Sequence, residues 1–210
     1  MSGLLVSVNL GRIEVVDHHD RTVTTGIFKR PAAGRVATDG VNLVGDDQAD
    51  RSVHGGPDRA LYAYAAEDLE WWADELGRPI AAGTMGENLT TADVDVTNAV
   101  IGERWRIGTV LLEVTAPRVP CFKLGIKMGD GRFPIRFAAA GRPGAYLRII
   151  EQGELGAGDV VTVTDVPDHD VTVALVAHAF HDDPSLAGTL LTAPALGAGW
   201  PEWARRQLAA

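Results

Sequence analysis

Short apolar runs of strand period, each closed off by glycine or proline, limit most strongly how this chain can fold. Leu4 to Leu10 alternates apolar with small or polar positions and puts Leu4, Val6, Val8 and Leu10 on one face. Val15 to Val16, Val23 to Phe28, Leu61 to Tyr64, Arg104 to Ile107 and Val110 to Thr115 read as further short strands, and Ile101 to Glu103 reads as another. With 24 glycines and 11 prolines the chain has turn residues for all of them. The spacing predicts a mainly β domain over residues 1–165, a small closed or half-closed barrel. Gly153 to Val163 reads as a hairpin within it, turning over Leu155 to Asp159 and closing with the strand Val160 to Val163.

Helical period interrupts this pattern once and then ends it. In Ala66 to Leu76, residues Leu69, Trp72, Ala73 and Leu76 form one apolar stripe, Glu67 and Asp68 suit the positive N-terminal end, and Gly77 stops the helix. Adjacent tryptophans cannot both face inward on such a helix, which leaves Trp71 at the rim. After Pro167 the pattern turns to appended α. Val173, Val176 and Phe180 share a face, Asp183-Pro184 opens a second helix through Leu191, and a third runs from about Pro201 to Leu208. Residues 166–210 thus make a three-helix module, too small to be stable unless it docks on the barrel or a partner. Trp200 and Trp203 read as exposed and offer a face for a second subunit, a homodimer.

Charge narrows the function. The formal net charge is −9, which argues against a nucleic-acid polymer or an anionic membrane as partner. Between Arg118 and Arg148, however, seven cations (Arg118, Lys123, Lys127, Arg132, Arg136, Arg142, Arg148) meet one acid, Asp130, so that segment is +6 and the remainder −15. A local island of that sign suits one small anionic ligand, with a solvated basic face as the alternative. No apolar run approaches the ~18 to 20 residues of a membrane span. A single cysteine makes no internal disulfide and Met1 to Leu10 has no leader pattern, so a reducing cytoplasm is expected.

That cysteine, Cys121, stands within the island in Arg118-Val119-Pro120-Cys121-Phe122-Lys123. Pro120 fixes its own φ and removes a donor, so the chain is expected to leave a strand here and present the thiol on a rigid turn. Arg118 and Lys123 flank it, and nearby positive charge favours thiolate, the nucleophilic and metal-ligating form. Three other loops carry candidate chemistry. Lys29 and Arg30 end a strand before Pro31, where they could reach a phosphate. His54 and Arg59 flank Gly55-Gly56-Pro57-Asp58, a tight turn that faces both toward one space or is simply structural. Asn88, in Gly86-Glu87-Asn88-Leu89, offers a donor and an acceptor to a heterocycle, or stabilises its turn. The His18-His19 pair reads as a polar hairpin tip whose rings point opposite ways, not as a metal site.

The segments Thr25 to Pro31, Gly45 to Asp50 with His54 to Ala60, Gly86 to Leu89, and Pro117 to Lys123, in that order and spacing, resemble the MOSC domain (molybdenum cofactor sulfurase C-terminal domain). Within that family they resemble the YiiM-like stand-alone bacterial branch, and the tail after Val171 is similar to the helical module of that branch. The resemblance implies a β-barrel that binds the molybdenum cofactor, a molybdopterin phosphate, with Cys121 as catalytic thiolate and Mo ligand. It makes Lys29, Arg30, Arg59, Arg118 and Lys123 candidates for the phosphate and pterin surroundings, with His54, Gly55 and Asn88 in the other matching loops. It further implies a reductase of N-hydroxylated compounds, such as N-hydroxylaminopurines, that draws electrons from a separate flavin reductase. The alternative is a non-catalytic carrier of sulfur or cofactor with Cys121 as the attachment point.

Overall fold

The computed structural model describes residues 2–47 and 55–209. The N-terminal run folds as β1 (Ser2–Leu10), followed by the hairpin β2 (Glu14–His18) and β3 (Arg21–Thr25) and three short strands: β4 (Arg30–Pro31), β5 (Val36–Asp39) and β6 (Asn42–Leu43). A 3-10 turn at Pro57–Arg59 then leads into β7 (Leu61–Ala65), α1 (Ala66–Leu76) and β8 (Leu89–Ala92). Next come β9 (Arg104–Ile107), β10 (Val110–Pro117), α2 (Phe122–Met128), α3 (Phe133–Ala139) and β11 (Ala145–Glu151). Then come β12 (Glu154–Leu155) and β13 (Val160–Asp165), and the tail holds α4 (Val173–His181), α5 (Ala187–Leu190) and α6 (Trp200–Leu208).

Strands β13, β9, β10, β11, β7, β8 and β1 pair in that order, and β1 pairs back onto β13 to close a seven-stranded barrel, with β4 added beside β1. Closure leaves none of the seven with an open edge. All pairs are antiparallel except β7 with β8, which α1 joins as a crossover, as a parallel pair requires.

The phase of β1 differs from the sequence expectation. Leu4 and Val6 face outward while Leu5 and Val8 are buried, because the pairing with β8 slips between Leu5 and Ser7. A bulge of this kind inserts one residue and exchanges the two faces beyond it. The expected hairpin at 153–163 is also absent. β12 pairs with β5, and β13 pairs with β1 and β9. The segment between them is held as a turn by Asp159, whose carboxylate accepts from the Gly156 N–H and from Arg35. Ile101 to Glu103 is a turn and not a strand.

β7 has no wet face. Leu61, Ala63 and Ala65 belong to the barrel core, while Tyr62 and Tyr64 enter a second cluster with Leu69, Trp72, Met85, Leu124, Phe133 and Phe137. Alternation by two sends every other side chain to the opposite face, so Leu-Tyr-Ala-Tyr-Ala is bulky toward the helices and small toward the barrel. Helices α1, α2 and α3 cover this outer face. Trp72 donates its indole N–H to the Tyr64 hydroxyl at 2.9 Å, and Trp71 lies edge-on to it at the rim with Arg142 over its ring at 4.8 Å. Removing one of the buried aromatics would cost ~3–5 kcal/mol.

α1 has the bounds its periodicity predicts, and Gly77 ends it at φ 62°. α2 and α3 lie where only strands and turns were expected. Both are short, and α2 runs through Gly125, where a Cβ would stand 2.9 Å from the Asp130 carbonyl oxygen. In the tail, Val173, Val176, Ala179, Leu190 and Trp200 join the same apolar cluster as the barrel interior. Thr172 caps α4 by accepting from the Leu175 N–H at 3.1 Å. The second tail helix opens as a 3-10 turn over Pro184–Leu186, capped by Asp183, before α5 begins. Trp200 is buried among Phe180 and Trp203, contrary to its expected exposure.

Candidate functional site

One cleft gathers the loops that the sequence singled out. It encloses about 660 Å³ of non-atom space, its solvent mouth included, and its lining includes Lys29, Arg59, Asn88, Arg118, Cys121 and Lys123. Its walls include the side chains of Tyr62 and Tyr146 from β7 and β11.

Cys121 reaches the cleft by a different route from the expected strand-end turn. β10 ends at Pro117, and Arg118-Val119-Pro120 carry the chain to Cys121, which holds the N-cap position of α2 in extended conformation, φ −125° and ψ 170°. The thiol side chain is partly buried and makes no capping bond, while Leu124 one turn later is buried in the aromatic cluster. Docking of α2 therefore sets where the sulfur stands. Lys127 on the same helix donates to the Ile27 carbonyl at 2.7 Å and to the Gly83 carbonyl, tying α2 to two other pocket loops. Burial lowers the Lys127 ammonium to about 8, against the opposing pull of Glu87.

The floor is a bonded polar network. The Lys29 ammonium meets both oxygens of Asp46, at 2.5 and 2.7 Å, and Asp46 Oδ1 also accepts from the Gly11 N–H at 2.7 Å. Burial pulls the Lys29 pKa down although Asp46 opposes it. Asn88 donates to Asp46 Oδ2 at 2.9 Å and to the Asn9 carbonyl at 3.3 Å, and its own oxygen accepts from the Tyr62 N–H at 3.2 Å. Its amide thus serves the scaffold, in keeping with the turn-stabilising alternative. Glu87 is fully buried, with Oε1 accepting from the Gly83 N–H at 2.5 Å and from Thr90 at 3.0 Å, and burial raises its pKa. Gly86 holds φ 82°, and a Cβ there would lie 2.9 Å from Ile27, so glycine lets the two loops close on each other.

The walls pair guanidinium with aromatic ring. Arg118 is only 7% exposed and lies 5.0 Å from the Tyr62 ring centre and 5.9 Å from that of Phe137, with Nη1 donating to the Met85 carbonyl. Arg59 stands 5.8 Å over the Tyr146 ring. Both contacts keep the positive charge while covering its face. The Tyr62 hydroxyl donates to the Pro143 carbonyl at 2.7 Å, and burial drives its pKa well above the ordinary phenol value, so it stays protonated.

Two named residues do not join them, and a third lies outside the described residues. The Arg30 side chain is 82% exposed and faces Glu14 at 4.0 Å, because backbone alternation turns it away from the side that Lys29 takes. Gly55 is not among the lining residues, and His54 lies outside the described residues. The basic island also divides. Arg148 pairs with Asp58 and Glu113, Arg142 with Asp68 and Arg136 with Asp130, and Arg132 is exposed, leaving Arg118 and Lys123 in the cleft and Lys127 beneath it. The His18 and His19 rings are 4.3 Å apart, not opposed, since His19 takes φ 52° at the two-residue turn between β2 and β3. Sequence reasoning missed Tyr62, Tyr146 and the Lys29–Asp46 pair. The tyrosines at alternate positions beside small residues in β7 were the available signal for a two-faced strand.

A family description of the MOSC domain matches residues 50–162. The uncharacterized protein YflK of Bacillus subtilis is 33% identical over 199 residues, 93% of this chain and 90% of that protein. A protein of Gibberella moniliformis named a reductase is 33% identical over 169 residues, 79% of this chain but only 30% of that longer protein. The crystal structure of YiiM from Geobacillus stearothermophilus superposes with a TM-score of 0.80 at 28% identity, over 98% of this chain and 99% of that one.

Proposed function

The chain is a member of the MOSC domain family, of the YiiM-like kind, and from that premise we propose that it binds the molybdenum cofactor around Cys121 and reduces N-hydroxylated compounds there. One observation carries the reading: the only cysteine of the chain shares a cleft with Lys29, Arg59, Arg118 and Lys123. The residues fit such a group. Thiolate is a soft ligand suited to a transition metal, and the cations offset a phosphate. Among the described residues no three His, Cys, Asp or Glu side chains stand together to hold an ion. A dithiolene cofactor would supply the metal's remaining ligands itself.

When bound, the cofactor supplies the electron and oxygen-atom chemistry. The chain's residues hold and orient it. Cys121 contributes the protein sulfur, Arg59 and Lys123 face the anionic end, and Arg118 places a charge that no carboxylate among the described residues cancels. Lys29 is braced by Asp46 and shapes the floor. The overall reaction breaks an N–O bond. Two electrons from a separate flavin reductase and two protons convert N–OH to N–H and release water.

The test is expression of the full chain in cells competent in cofactor synthesis, followed by metal and pterin analysis. Molybdenum and pterin are expected near one per chain, with Cys121→Ala retaining little metal. Reduced donor and an N-hydroxylated base should then yield the N–H product. Trace metal and pterin in the unaltered protein would overturn the reading, and intact cofactor without turnover would favour the carrier.

A further inference from the structure

The 3-10 turn before β7 lies across β11, and its two charged residues dock on alternate positions of that strand. Asp58 meets Arg148, and Arg59 stands over the ring of Tyr146. Residues two apart on a strand share a face, so these are neighbouring supports. The acceptors of Asp58 bond the scaffold. Oδ1 accepts from Arg148 Nε at 2.9 Å and Nη2 at 2.6 Å, a two-pronged charge-assisted contact. Oδ2 accepts from the Ala198 N–H at 2.6 Å, and the Asp58 carbonyl accepts from Thr115 Oγ1 at 2.6 Å.

Ala198 belongs to the tail, in the segment that opens α6. Its neighbour Gly197 donates its N–H to the Thr115 carbonyl at 3.0 Å, and a Cβ on Gly197 would approach Asp58 Cβ to 3.3 Å. The tail thus lies against the turn at a distance that suits glycine. The Asp58 carboxylate is directed to Arg148 and the tail, and the adjacent Arg59 to the cleft.

We propose that Asp58 is a positioning residue for the cleft, through which the helical tail sets where the Arg59 guanidinium stands. The binding part of this inference rests on the reading of the cleft as an anion site; the geometric part does not. A carboxylate anchored at both oxygens fixes the turn, and the turn fixes the root of the Arg59 side chain. A ligand oxyanion then meets a guanidinium already in place, without the cost of ordering it.

Calorimetric titration of the full, cofactor-free chain with pyrophosphate tests this, using unaltered protein, Asp58→Asn, Arg59→Met and the double variant. Each single change is expected to weaken binding about tenfold, and the double variant no more than Arg59→Met alone, because Asp58 acts through Arg59. A lower melting temperature for Asp58→Asn with unchanged affinity overturns the proposal, as do additive losses in the double variant. If the unaltered protein binds no pyrophosphate, the anion reading fails, and crystal structures of the cofactor-free proteins decide the positioning. Arg59 leaving the Tyr146 ring in Asp58→Asn supports it, and Arg59 staying there overturns it. Should Asp58→Asn not fold, Thr115→Val releases the same turn from its other side and carries the same expectation.

Discussion

Arg148 and Arg118 come from the same basic stretch and meet opposite fates. Arg148 bonds two carboxylates, those of Asp58 and Glu113, and Glu113 in turn takes Arg104. Arg118 is more deeply buried, yet it touches a carbonyl and two aromatic rings. In the first cluster charge cancels and the result is attachment, of turn to strand and tail to barrel. In the second it is left standing behind the wall of a cleft. Burying a charge without a counter-charge is costly, and a site that must attract an anion is where that cost has a use.

Replacing each arginine in turn is the sharpest way to break this contrast. Arg118→Met should abolish measurable retention of an anionic cofactor, about a hundredfold or more in affinity, while chemical denaturation moves by no more than ~1 kcal/mol, since an uncancelled charge is what is removed. A large loss of stability with binding intact would reverse the assignment. Arg148→Met should act mainly on stability and lower unfolding free energy by ~2–3 kcal/mol, because Asp58 and Glu113 lose a shared, partly buried cation, with at most a tenfold loss of anion binding through the released Asp58 turn. Urea titration reads that loss directly.

Lys127 lies between the two cases, bonded to carbonyls but close enough to Glu87 to feel it. Its pKa falls from 10.5 to about 8 on folding, so between those values the unfolded chain holds more protons and unfolding free energy rises with pH. The difference between the unaltered protein and Lys127→Met should therefore grow in favour of the unaltered protein across that window; a flat difference would refute the assignment. The smallest effect belongs to Arg30→Ala, exposed beside Glu14, for which ~0.5 kcal/mol or less and unchanged cofactor content are expected.

Much of this was legible before any coordinates. α1 could be read residue by residue, because its stripe, its acidic start and its glycine stop all agree. The thiol and its cations could be chosen because they cluster in the sequence itself. Other features lie beyond local pattern. A bulge in β1 reverses which leucine faces inward, and nothing in Leu4 to Leu10 marks it. α2 and α3 contain Gly125, Pro134 and only two turns each, so they owe their form to Leu124, Phe133 and Phe137 docking on β7. The choice between Lys29 and Arg30 turns on Asp46, which arrives from a loop seventeen residues away.

Because β7 is buried on both sides, the barrel interior and the cleft wall share a single strand of five residues. A change at Tyr62 is felt in the hoop of leucines and valines behind it, and a change at Ala63 is felt in the ring that backs Arg118. Variation that retunes the cleft without loosening the protein must therefore accumulate in the surrounding loops. β7 has little freedom to diverge.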